Sequence, residues 1–150
     1  MSATLLQSSA RAATRPAAPA GTARTSRRAH RAGLALSGVA ALFLAGDLAG
    51  KFVAPEAVVT GTQALGYGAH HLPVLGLIQL ACLVLYLVPR TAPLGAVLWT
   101  GYLGGAVATH LRLDHALLTH TLFPVYVGTL LWLGLSLRDA RLRALLRPAR

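Results

Sequence analysis

The chain has 150 residues, 55% of them hydrophobic and only 12% charged, with a mean hydropathy of +0.58 and a formal net charge of +10. An ordinary soluble domain carries about 25% charged residues, so a surface this apolar argues against a water-soluble globule and for a membrane protein. The basic excess admits nucleic acid, anionic lipid or membrane topology as its cause, and the positions of the arginines decide between them.

Residues 1–31 are rich in Ala, Ser, Thr, Pro and Arg, with no apolar periodicity, and are predicted to be a disordered basic tail. The pair Arg27-Arg28 ahead of an apolar run is read as a cytoplasmic flank rather than a twin-arginine export signal, because Ala29 and His30 fit that signal badly. Four apolar stretches follow in a predicted transmembrane domain over residues 32–146. The first runs from Ala32 to about Val53, where Pro55 stops it; the others are Leu72–Pro89, Thr91–Thr109 and Thr121–Leu137. A helix needs about 17–25 residues to cross the hydrocarbon core, and none of the runs shows the period-two alternation of a barrel strand. The predicted fold class is therefore all-α, an integral membrane bundle of four helices. The short turn PRTAP, Pro89 to Pro93, makes the second and third helices an antiparallel hairpin. The segment from Leu137 to Leu146 reads as an amphipathic basic turn on the inner leaflet, and residues 147–150 as a basic end.

Twelve arginines fall on one side of this arrangement, in the two terminal segments and at Arg90; only Lys51 and Arg112 fall on the other. The bias predicts that both termini are cytoplasmic. It also accounts for most of the charge, so nucleic acid is not an expected partner: no aromatic residues interleave the arginines to stack on bases.

In the third predicted helix, Ala96, Thr100, Gly104 and Ala108 recur every four residues, with Gly101 and Gly105 in an adjacent row. Small residues let helix backbones approach in lipid. These six are expected to pack against a neighbouring helix or a second copy of the chain.

Three sets of residues are candidates for chemistry. Asp47 with Lys51 one turn later lies about 24 Å along the helix from Arg31, inside the outer part of the bilayer. An ionisable group at that depth is a functional candidate, and Lys51 is its expected neutralising partner. Gln79, midway along the second helix, needs a buried partner, for which Thr100 or Tyr102 are the expected acceptors or donors. His70, His71, His110, His115 and His120 all fall at the outer face, with Tyr102 and Arg112 toward the same end. Histidine at an interface is ordinary, and without a recognised ligand spacing no metal site is assigned. The single cysteine, Cys82, excludes an internal disulfide, and no nucleophile elbow, phosphate loop or paired catalytic carboxylates occur. No catalytic residue is assigned, and the chain is not expected to be an enzyme by itself.

The stretch VLYLVPRTAPLGAVLWTGYLGGAVATHLR, Val84 to Arg112, closely resembles the signature hairpin of the DoxX-like small membrane proteins, and Leu131–Leu146 resembles the end of their last helix. The likeness extends over about residues 34–146. It implies a four-helix bundle in the bacterial cytoplasmic membrane. It also implies a link, held by some relatives, to quinone-linked oxidation of sulfur compounds or to membrane complexes that answer oxidative stress. On that basis the expected role is an accessory membrane subunit of a redox complex, with Asp47, Gln79, Tyr102, His110 and Arg112 as candidate ligand-binding residues. The cofactor is not identified by the residues, quinone being the one the resemblance suggests. A small transporter or channel, resting on Asp47, Gln79 and Thr100, and a purely structural scaffold are the alternatives. Where family members often carry Glu, this chain has Gln79, and residues 112–120 are longer and richer in histidine than the resemblance leads one to expect.

Overall fold

A computed structural model describes residues 20–145, and every described element is helical. Helix α1 spans Ala20–Val53, α2 Glu56–Ala64, α3 Leu72–Leu87, α4 Ala92–Arg112, α5 Phe123–Arg138 and α6 Ala140–Leu145. A 3-10 turn at Ala69–His71 precedes α3, and a π-helical turn at Leu117–Thr121 precedes α5. Because α1 starts at Ala20, residues 20–31 are helical where a disordered tail was expected; Ala and Arg are strong helix formers, and the helix runs back through them. The rest of the expected tail, and the basic end at 147–150, lie outside the described residues.

Local sequence sets the boundaries. Pro73, Pro93 and Pro124 each sit in the first turn of α3, α4 and α5, where a missing N–H costs nothing. Helix α1 ends at Ala54, whose φ of 47° breaks the ladder just before Pro55. Asp139 caps α6: its Oδ1 accepts from the backbone N–H of Arg141 at 2.8 Å. Helix α2, which has no buried residues, was not anticipated.

Helix α1 packs against α5 and α3, and α4 against α3 and α5, the α1–α5 contact being the most extensive. A Cβ on Gly134 would overlap the backbone of Ser37, one on Gly33 the backbone of Gly134 and Arg138, and one on Gly95 the backbone of Tyr86. These three glycines set the closest approaches, at α1–α5 and at the α3–α4 hairpin. Tyr86 ties the elements together and is wholly buried. Its Oη donates to the carbonyl of Leu131 on α5 at 2.9 Å and so accepts from Ser37 Oγ on α1 at 3.0 Å. Arg138 Nη2 donates to the Tyr86 carbonyl at 3.1 Å, and its guanidinium lies 4.9 Å from the ring centre.

The outside of the molecule is oily. Leu42, Val53 and Leu118 are two-thirds or more exposed, and Val39, Leu77, Val84, Leu94 and Val97 also point outward. Exposed apolar surface on this scale marks a membrane-facing exterior. Three segments, Arg27–Val53, Ala69–Leu87 and Leu117–Arg138, are long and apolar enough to cross a membrane. Helix α4 has the length, 21 residues, but its Thr, Gly, Trp and Tyr leave it less apolar than those three.

Candidate functional site

Asp47 and Gln79, on α1 and α3, meet. Asp47 Oδ2 accepts from Lys51 Nζ and from Gln79 Nε2, both at 2.6 Å. The carboxylate can only accept, which fixes the amide with its nitrogen toward Asp47. Gln79 therefore does not bond to Thr100 or Tyr102 as expected; it faces α1 instead of α4. Lys51 is the better-packed member of the ion pair, 11% exposed against 44% for Asp47. Asp47 Oδ1 has no hydrogen bond among the described residues, and the carboxylate sits on an exposed apolar face of α1 beside Val39, Leu42, Phe43 and Gly46.

Behind this pair lie two buried polar atoms without partners among the described residues, the acceptor Gln79 Oε1 and the donor Trp99 Nε1. Gln79 comes eight residues before the end of α3 and Trp99 seven after the start of α4, so the antiparallel hairpin sets them at similar depth. An unmade hydrogen bond of this kind costs about 1–3 kcal/mol.

The other expected site residues go elsewhere. Tyr102 is half-buried and stands edge-on to Trp99, 5.6 Å between ring centres. Arg112 donates from Nη2 to the carbonyl of Leu65 at 3.2 Å, closing the end of α2. His110 lies eight residues beyond Tyr102, about 12 Å along α4, and its Nδ1 is 2.8 Å from His115 Nδ1. Tyr102, His110 and Arg112 thus form no common site. Desolvation first, then His115 and His120 beside it, push the His110 imidazole below its ordinary pKa, so it is neutral at neutral pH. Of the expected packing residues, Ala96 is in the core and Thr100 Oγ1 accepts from Trp132 Nε1 of α5 at 2.9 Å. A Cβ added at Gly101, Gly104 or Gly105 would meet nothing within 4 Å, and Ala108 is exposed. Within the chain the small-residue row is used at its start and left open beyond it. An apolar groove of about 490 Å³ between α4 and α5, lined by Thr100, Leu103, Gly104, Gly128 and Trp132, adjoins that open face.

A profile of the DoxX-like family matches residues 35–134, which take in the Asp47–Gln79 pair and the α3–α4 hairpin. The chain belongs to the DoxX-like family. No curated protein and no solved structure matches it. In this DoxX-like protein the expected site residues divide between the Asp47–Lys51–Gln79 cluster and the helix ends near residues 65–71 and 109–121, apart from the buried Ser37–Tyr86–Arg138 network. Sequence reasoning missed Tyr86, Ser37 and Arg138, whose roles depend on which helices become neighbours. The signal available was a tyrosine in the middle of an apolar run, which demands a partner for its hydroxyl.

Proposed function

We propose that this DoxX-like chain is a multi-pass protein of the bacterial cytoplasmic membrane. In this reading α1, α3, α4 and α5 all cross as a four-helix bundle, both termini face the cytoplasm, and the chain serves as an accessory subunit of a quinone-linked redox complex. The observation that carries the quinone reading is the Asp47 carboxylate, held on one oxygen by Lys51 and Gln79, with its other oxygen beside an exposed apolar face of α1. A quinol hydroxyl can donate to that oxygen while an apolar tail lies along Val39, Leu42 and Phe43. Gln79 acts by orienting Asp47, and Lys51 supplies the countercharge. The separation of Tyr102 from His110 and Arg112 supports putting the head group here and not beside those three.

Retention of a short-chain ubiquinol, kept reduced under anaerobic conditions, by the purified protein in lipid nanodiscs tests this. The wild type is expected to retain it above the level of empty discs. Asp47→Asn and Gln79→Leu should each reduce the retained amount by about tenfold, an interaction of about 1.4 kcal/mol. Retention no higher than in empty discs would remove the reading.

The open face at Gly101, Gly104 and Gly105 favours a second role as a packing surface for a partner subunit or a second copy. The two roles are compatible, since the face and the Asp47 site involve different helices.

A further inference from the structure

The five outer histidines form two groups. His70 and His71 lie against each other with their planes inclined by 41°, 3.9 Å between ring centres, beside Tyr67. His110, His115 and His120 form a triangle with ring centres 5.0, 5.7 and 6.1 Å apart. The chain is shaped to make this triangle. After α4 ends, Asp114 adopts a φ of 57° and reverses the direction. The backbone N–H of His115 donates to the His110 carbonyl at 3.1 Å. The π-helical turn then brings His120 back, and the buried Thr121 fastens it by donating from Oγ1 to the His115 carbonyl at 3.2 Å. A π turn is uncommon.

Three imidazoles on one tetrahedral cation, with metal–nitrogen bonds of about 2.0–2.1 Å, stand about 5–5.5 Å apart between ring centres. The triangle already has nearly that size. As the side chains stand, no group of three His, Cys, Asp or Glu among the described residues converges on one point. The reason is local: His110 Nδ1 and His115 Nδ1 are hydrogen-bonded to each other at 2.8 Å, where two nitrogens on one cation stand about 3.3 Å apart. Binding a cation requires ring rotations that open this pair by about half an ångström and turn His120 inward. His120 Nδ1 is 2.8 Å from Thr119 Oγ1; with the proton on Nδ1, Nε2 is left as the ligand nitrogen. The position at the C-terminal end of α4, where backbone carbonyls accumulate negative potential, favours a cation. Arg112, the nearest fixed positive charge in sequence, is turned away toward Leu65.

We infer that His110, His115 and His120 bind one divalent transition-metal cation of the zinc class, with the fourth position open to water. Three imidazoles without a carboxylate select Zn²⁺, Cu²⁺ or Ni²⁺ over Mg²⁺ and Ca²⁺. This site shares no residue with the Asp47 site and does not depend on the quinone reading.

The test uses the full chain in detergent, carrying no histidine tag and stripped of metal. Zn²⁺ titration followed by calorimetry should show one equivalent bound per chain, and Co²⁺ should give the intense visible bands of a tetrahedral complex. His110→Ala, His115→Ala and His120→Ala should each weaken binding by at least about tenfold, while a His70→Ala, His71→Ala double variant binds as the wild type does. Gel-filtration profiles of the variants guard against loss of fold, and His→Gln replacements stand in for any alanine variant that aggregates. Absence of saturable Zn²⁺ binding, an octahedral Co²⁺ spectrum, or binding lost only in the His70, His71 double variant would overturn the inference.

Discussion

Tyr86 shows how one side chain in an apolar setting does several jobs. Its hydroxyl joins α1 to α5, its carbonyl receives Arg138, and its ring fills the core. Tyr86→Phe keeps the ring and removes both hydroxyl bonds, leaving Ser37 Oγ without its buried partner. Interhelical hydrogen bonds in membrane proteins contribute about 0.6–2 kcal/mol, so a loss of about 1–2 kcal/mol is expected, read as a lower midpoint in unfolding by denaturing detergent. An unchanged midpoint would mean that Ser37 finds another partner. Gln79 illustrates what sequence could and could not reveal at this scale. That a buried amide needs a partner was legible from its position in an uncharged run. Which partner was not, because Thr100, Tyr102 and Asp47 are all within reach of some rotation of the helix, and only the packing of α1 on α3 selects Asp47. The pairing of Asp47 with Lys51 was legible, since spacing of four residues puts both on one helix face.

Among the elements, α4 carries the clearest division of labour. Its first two turns are packed, with Ala92, Gly95, Ala96 and Trp99 buried, and its middle turns expose Gly101, Gly104 and Gly105. Replacing Gly101 and Gly105 by Leu should therefore leave the unfolding midpoint of the isolated chain nearly unchanged. Chemical cross-linking in membranes should show loss of association with its neighbour. A chain that unfolds early, with cross-links intact, would place these glycines inside the fold after all. The α3–α4 hairpin was readable from PRTAP because proline cannot continue one helix yet opens the next well. Helix α2 and the π turn were not readable: none of the nine residues of α2 is buried, so no core face marks it, and the π turn rests on local bonds such as that of Thr121 to the His115 carbonyl, which no apolar spacing announces.

For the whole molecule, the proposed orientation rests on charge. Helix α1 is 34 residues long, about 51 Å at about 1.5 Å per residue, against a hydrocarbon core of about 30 Å. Its basic N-terminal part must lie beyond the core, on the side where Arg90 and Arg138 also lie in the proposed topology. Reporter tags placed before Leu34 and after Leu146 should both be read from the cytoplasm; tags in opposite compartments would require an odd number of crossings. The helical class and the membrane setting were legible because composition and run length depend on no tertiary detail. The identity of the tightest interface was not. Gly101, Gly104 and Gly105 of α4 face no neighbour within the chain, whereas Gly33 and Gly134 press α1 and α5 together across about a hundred positions of sequence.

That pairing of the first long helix with the last has a consequence for synthesis. Seventy residues separate Val53 from Phe123. At a translation rate of about 5–20 residues per second, α1 waits for several seconds before α5 leaves the ribosome. During that interval the backbone around Gly33 and Ser37 has no native cover, and its protection falls to lipid or to an insertion chaperone. Lengthening the α2 segment would widen this window.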